Sequence, residues 1–182
     1  MEKKYILTDD VIDFNSHTLH RIKAVRDFDC VKAGDLGGFI ESEKNLDHDG
    51  AAWVTGDARI FGDARVTGAA VVIGAAVVSS AAVVTGAAVV SGVAVVSGDA
   101  RVTGVAFVTD SADFSVISGF GRVLRTTTFF RCKDNLVRCQ CGCFYGTVDE
   151  FRSKVRETHG SSKYAKEYLM IADLMELHFK ED

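Results

Sequence analysis

The chain contains no proline, and no stretch is rich in serine, proline or glutamine, so a long flexible linker is excluded. Excess basic charge is missing too. The 21 Lys and Arg stand against 25 Asp and Glu, for a net charge of −4. With a pI near 5.7, this argues against a general nucleic-acid binder, which carries a basic face. The opening MEKKYILTDD has no apolar core of the length a signal peptide needs. Five cysteines, an odd number, then lead us to expect a reducing cytoplasm and free thiols. Charged residues make up 25% of the chain and hydrophobic ones 47%, which excludes intrinsic disorder. The length of 182 residues suits one domain with a small appendage.

Charge is scarce in the middle of the chain. Residues 1–50 carry 7 basic and 11 acidic groups, 51–115 carry 3 and 5, and 116–182 carry 11 and 9. The charge-poor part is a repeat of period six, with Ala at 52, 58, 64, 70, 76, 82, 88, 94, 100, 106 and 112. Two residues after each Ala stands Val54, Ile60, Val66 and so on to Val108 and Phe114. Two further on comes Gly in most units, with Ser80 and Asp110 as substitutes. A helix cannot use this period, because successive units would start about 600° apart around its axis. A short strand can: Ala and Val point inward, and the residue between them points outward. Gly, Ser or Asp then turns the corner. Three strands close a triangular coil of 18 residues, and stacked coils pair at about 4.8 Å.

The repeat resembles the hexapeptide-repeat, left-handed parallel β-helix proteins over about residues 38–118, and that resemblance implies the left hand. In one respect it departs, since Gly here comes two residues after the aliphatic position rather than directly after it. The expected fold class is mainly β: a single-stranded left-handed parallel β-helix of triangular coils, with an N-terminal cap and a small C-terminal α+β module. Residues 1–37 are the strand and cap segment, 38–118 the β-helix, and 119–182 a hairpin with two helices. Residues 69–98 carry no charge and would be long enough to span a membrane as a helix. They are β-branched, turn every sixth residue, and run in register into charged units on both sides. A solenoid explains this better than a membrane span.

Every third unit shares a face. Face one shows Trp53, Val71, Val89 and Phe107; face two Arg59, Val77, Val95 and Asp113; face three Arg65, Val83 and Arg101. Exposed apolar area on this scale marks an interface, so Trp53, Val71, Val89, Phe107, Val77 and Val95 are expected in a homo-oligomer, most simply a trimer. The competing reading is that the terminal segments fold back over these faces.

Chemistry is absent from the repeat. The resemblance to hexapeptide acyltransferases implies a catalytic His near a bulging loop, yet units 51–115 have no insertion and no His. His48, at the first coil, is the one residue on which an acyltransferase reading rests. A related carbonic-anhydrase type needs three His ligands for zinc, and the repeat supplies none.

The flanks read differently. Ile40 and Leu46 lie twelve and six residues before Ala52, so an irregular first coil begins near Gly38. A cap here covers strand edges that the stack would otherwise expose. His17 and His20 read as surface or turn residues. After the repeat come two or three strands turned at Lys133-Asp134-Asn135. Thr147 to Glu150 forms a capping box opening a helix to about Thr158, with Gly160 ending it. A second helix, about Ser162 to Phe179, carries Tyr164, Tyr168, Ile171, Met175 and Phe179 on one side. Cys132, Cys139, Cys141 and Cys143 lack the paired spacing of structural zinc sites. Cys139, Cys141 and Cys143 would share a strand face, with His159 or Cys132 as a fourth ligand, but buried free thiols are the expectation. No metal and no cofactor is expected.

The segments VRDFDCVKAGDLGGFIESEKNL and TTTFFRCKDN…CGCFYGTVDEFRSKVRETHGSSKYAKEYL resemble a family of phage and prophage proteins with a β-helix centre. The resemblance implies a phage accessory protein acting in the bacterial cytoplasm on a host protein, a defence protein included. The expected function is therefore a non-enzymatic oligomeric binding protein that inhibits a host protein. An alternative is sequestration of a small anionic, nucleotide-like ligand between protomers through Arg59, Arg65 or Arg101. The second alternative is the acyltransferase with His48 as base.

Overall fold

A computed structural model of the protein describes residues 2–180. The chain starts with a hairpin, β1 (Tyr5–Phe14) and β2 (His17–Ala24), turned by Asn15 and Ser16 at φ +50° and +66°. β3 (Leu36–Ile40) pairs antiparallel with β2 and leads into ten two-residue strands. These are β4 (Trp53–Val54), β5 (Arg59–Ile60), β6 (Arg65–Val66), β7 (Val71–Val72), β8 (Val77–Val78), β9 (Val83–Val84), β10 (Val89–Val90), β11 (Val95–Val96), β12 (Arg101–Val102) and β13 (Phe107–Val108). Strands three apart pair in parallel, in the orders β4-β7-β10-β13, β5-β8-β11 and β6-β9-β12, and β3 pairs in parallel with β5. The result is a parallel β-solenoid of about four turns. Val71 faces Val89 and Val77 faces Val95, the 18-residue register the repeat demands.

The inner Ala and Val or Ile of all ten units, Ala52 to Val108, are fully buried. Small and branched residues alternate because the prism interior is narrow. At the corners the chain turns left-handed. Gly86 has φ +73°, and a Cβ there would lie 2.7 Å from the backbone nitrogen of Gly104 one coil below. Ser80, at φ +59°, holds the same corner conformation with a side chain.

Two details differ from the sequence pattern. The eleventh unit does not form: Ala112 is exposed in a 3-10 turn, Ser111–Asp113, and Phe114 starts a different strand. Asp113 consequently leaves face two, and its carboxylate accepts from the backbone of Thr109 and Asp110. The lead-in coil is also longer. Ile40 pairs with Ile60 and Leu46 with Val66, so both occupy Val rather than Ala positions. The corner after Leu46, at Asp47–Asp49, absorbs the two extra residues.

A parallel stack is polar, and the two caps answer that polarity. Val71 N–H donates to the Ala88 carbonyl one coil on, and Arg65 N–H to that of Ala82. The first coil thus offers carbonyls with no preceding coil, and the last offers N–H groups with no following one. On face two, β3 supplies backbone donors, Phe39 N–H to Ala58 at 2.8 Å and Glu41 N–H to Ile60 at 3.0 Å. On face three, the Asn45 amide donates to the Gly62 and Ala64 carbonyls at 3.0 and 2.9 Å. On face one, the Lys4 ammonium donates to the Ala52 carbonyl at 2.8 Å. Lys4 and Asn45 are both 0% exposed. At the other end acceptors appear instead: Thr128 Oγ1 takes Arg101 N–H at 2.9 Å, and Ser111 Oγ takes Val95 N–H at 3.3 Å.

The C-terminal module is an antiparallel meander, β14 (Phe114–Phe120), β15 (Arg125–Arg131), β16 (Val137–Cys141) and β17 (Phe144–Thr147), followed by α1 (Val148–His159) and α2 (Lys163–His178). Four strands form where the sequence pattern predicts two or three. β15 alternates between two cores. Phe130, with Cys132 beyond the strand, joins the solenoid core, whereas Phe129 packs with Phe151, Tyr168 and Met175 under the helices. The Thr147–Glu150 capping box and the Gly160 cap of α1 are both present. Tyr168, Ile171, Met175 and Phe179 are buried on one side of α2, while Tyr164 lies at its margin, 36% exposed.

Candidate functional site

The solenoid faces are not equally free. Trp53 is only 6% exposed because the N-terminal segment covers it: the Phe28 ring meets it edge-on at 5.3 Å and Tyr5 at 6.4 Å. This removes Trp53 from the expected oligomer surface. Val77 is partly covered, packed against Leu19, Phe39 and Phe61 beneath the hairpin. Val71 and Val89 remain part-exposed, and Val95 and Phe107 are 44% and 41% exposed. The terminal segments thus cover part of faces one and two and leave the later coils open.

The three solenoid arginines do not converge. Arg59 lies with its guanidinium 4.7 Å over the Phe14 ring, a structural cation–π contact. Arg65 and Arg101 are exposed on face three, in one column with Val83 between them. His48 is enclosed rather than presented. Its ring stacks on Tyr5 at 4.3 Å, its Nδ1 accepts the Lys4 N–H at 3.2 Å, and its Nε2 is 3.6 Å from Glu43. A general base must reach its substrate's proton, and this imidazole is committed to the cap. His17 and His20 sit on β2, with Nδ1 3.0 Å from Glu41 Oε1 and 3.1 Å from the Thr8 carbonyl.

The cysteines separate by depth. All five are free thiols. Cys139 is fully buried under the helices, and burial pushes its thiol well above the usual range. Cys132 is buried at the solenoid junction and is pushed up by the same cause. Cys141 ends β16, and Gly142-Cys143 is the two-residue loop to Phe144, with Gly142 at φ +60°. Cys143 is therefore exposed and off the strand face on which the periodicity placed it. Among the described residues, no three His, Cys, Asp or Glu side chains gather closely enough to hold a metal.

Cys141, Cys143 and His159 do line one concavity, a pocket of about 310 Å³ between the β16–β17 loop, the loop before β15 and the two helices. Its floor is apolar, from Phe144, Phe151, Val155 and the face of Tyr168, with ring centroids 5.7 Å apart from Phe144 to Phe151 and from Phe151 to Tyr168. The His159 ring stacks on Tyr168 at 5.8 Å. Burial pushes the Tyr168 hydroxyl up, so it stays protonated, with its oxygen 3.4 Å from the Phe120 carbonyl. Gly121, at φ +74°, brings the loop so close that a Cβ there would collide with the Tyr168 hydroxyl. Arg122, Arg125 and Lys154 complete the wall, and among the described residues no carboxylate lines it.

Sequence reasoning missed this pocket. The basic excess of residues 116–182 was the available signal, but Arg122, Arg125 and Lys154 come from three separate elements. A second feature it missed is on α2, where Met170, Leu174 and Leu177 are 71%, 55% and 70% exposed. No helix among the described residues is long and apolar enough to cross a membrane. No family model matches the chain, and no curated protein is similar to it in sequence.

Proposed function

We propose that the chain is a non-enzymatic binding protein in which the solenoid is a rigid mount and the C-terminal module engages a partner protein. The observation that carries this is the stripe of Met170, Leu174 and Leu177, spaced i, i+4 and i+7 on one side of α2, opposite Tyr168, Ile171 and Met175. Three large apolar side chains at such exposure, aligned on a well-packed helix, suit a helix-face contact. The likeness of both ends to phage proteins makes a host bacterial protein, a defence protein included, the expected partner. Five unpaired thiols agree with a cytoplasmic site of action.

The test is native mass spectrometry of protein purified gently from bacterial cells. A co-purifying protein should appear with the wild type and be lost in Met170→Glu/Leu174→Glu, whose far-UV spectrum is unchanged. Retention of the same mass by that variant, or no added protein mass in either, refutes the assignment.

A second reading, self-association, is favoured by the column Val71, Val89 and Phe107, which the N-terminal segment leaves open beyond Trp53. A trimer remains the expected assembly. Val71→Asp/Val89→Asp should reduce the native mass to that of one chain, and a mass that is monomeric already in the wild type rejects it.

A further inference from the structure

We infer that the pocket between the β16–β17 loop and the helices binds a small aromatic anion, a phosphate or carboxylate carried on a flat apolar body. The inference goes beyond partner binding and rests on different side chains. Its basis is a division within the cavity. Phe144, Phe151, Val155 and the Tyr168 ring give an apolar floor, whereas Arg122, Arg125, Lys154 and His159 stand on the wall. Lys154 is partly committed, with its ammonium 3.0 Å from Glu157. Arg122 and Arg125 have no ion-pair partner among the described residues, in a molecule whose net charge is −4. Arg152, by contrast, is bound on the far side of α1 by Asp149, Asp173 and Glu176. Two unpaired, exposed guanidiniums at the rim of an apolar floor can take an anion by bidentate, charge-assisted hydrogen bonds while the floor takes its ring. The volume of about 310 Å³ lies at the small end of ligand pockets, which begin near 300 Å³. One aromatic ring system with its anionic group fits, and a peptide helix does not.

The test uses the full chain and two probes with the same apolar body, 1-anilinonaphthalene-8-sulfonate and uncharged N-phenyl-1-naphthylamine. The sulfonate should bind one to one, and Arg122→Gln/Arg125→Gln should weaken it at least tenfold while moving the neutral probe less than twofold. Arg65→Gln/Arg101→Gln on the solenoid should leave both unchanged. Bound sulfonate should slow alkylation of Cys143 by iodoacetamide at least fivefold and leave Cys30, exposed in the N-terminal segment, unprotected. Adenosine monophosphate and phenylacetate then separate the two head groups by which one displaces the sulfonate. Equal affinity for both probes, insensitivity to the arginine pair, no protection of Cys143, or displacement by neither anion at millimolar concentration overturns the inference. Retention of the partner by the α2 variant with pocket binding intact would refute only the proposed function, and loss of pocket binding with the partner still held would refute only this inference, so the two failures are told apart.

Discussion

Asn45 serves two first-coil carbonyls on one face of the solenoid with a single side chain, beside the Asp47 N–H that serves Val66, and replacing it tests the polarity of the stack directly. Its amide donates to two carbonyls of the first coil, Gly62 and Ala64, and its Oδ1 accepts the Ser42 N–H at 2.9 Å. Asn45→Leu keeps the branched shape and is larger, so no cavity forms and any steric cost adds to the loss. It removes three hydrogen bonds and strands one buried acceptor, the Ala64 carbonyl, with a part-buried acceptor and donor at Gly62 and Ser42. An orphaned buried group costs roughly 1–3 kcal/mol and a part-buried one less, so a loss of about 2–4 kcal/mol is expected. That is a large share of a typical stability of about 5–15 kcal/mol. Asn45→Asp should lose as much at pH 7, because a carboxylate would face two carbonyls. It should recover partly as pH falls toward about 4, because burial beside two carbonyls raises the folded carboxyl above its unfolded pKa and the protonated form can donate again. Urea unfolding followed by circular dichroism measures both variants. A loss below about 1 kcal/mol for Asn45→Leu at an unchanged m-value would show that the first-coil carbonyls need no partner, and the cap argument would fail.

Burial lowers the Lys4 ammonium from 10.5 to about 8, so in that window the unfolded chain holds the proton that the folded chain has released. Stability from this group therefore rises with pH between about 8 and 10.5, by up to about 3 kcal/mol at 1.36 kcal/mol per unit. The check is the difference in urea midpoint between wild type and Lys4→Met across pH 7.5–10, since the difference removes the opposing contributions of Tyr5 and Cys139, both pushed up by burial; a flat difference refutes the assignment. At the corners, Gly86→Ala must hold φ +73° against the backbone of Gly104 and should cost at least about 1–3 kcal/mol. Ser80→Gly, relieving the one occupied left-handed corner, should be neutral or gain up to about 1 kcal/mol, as thermal unfolding will show.

The solenoid was legible because its signal is redundant. Each Ala and each Val repeats the same instruction, and a single exception such as Ser80 cannot hide the period. Legibility ended where a residue acts once. Phe114 continues the hexapeptide spacing, yet the 3-10 turn at Ser111–Asp113 redirects the chain, and only the pairing of β14 with β15 reveals it. Ile40 and Leu46 fit an Ala column by counting and a Val column by hydrogen bonding, because the extra residues of the Asp47–Asp49 corner carry no marker. The helices of the module were readable from caps and spacing. Its pocket was not, since Arg122, Cys141 and Lys154 meet only through tertiary packing.

The chemistry of the two ends follows from the repeat itself. Backbone carbonyls at the first coil demand donors, and the N-terminal segment brings an amide and an ammonium. N–H groups at the last coil demand acceptors, and the hydroxyls of Ser111 and Thr128 meet them. Lys4 and Asn45 are thus buried for a structural reason, as is His48, whose stacking on Tyr5 holds the same cap. These three groups are thereby assigned to closing the stack rather than to binding. The C-terminal module, for its part, presents the outer stripe of α2 and the guanidiniums of Arg122 and Arg125 to solvent. That distribution makes the C-terminal module the place where binding should be sought.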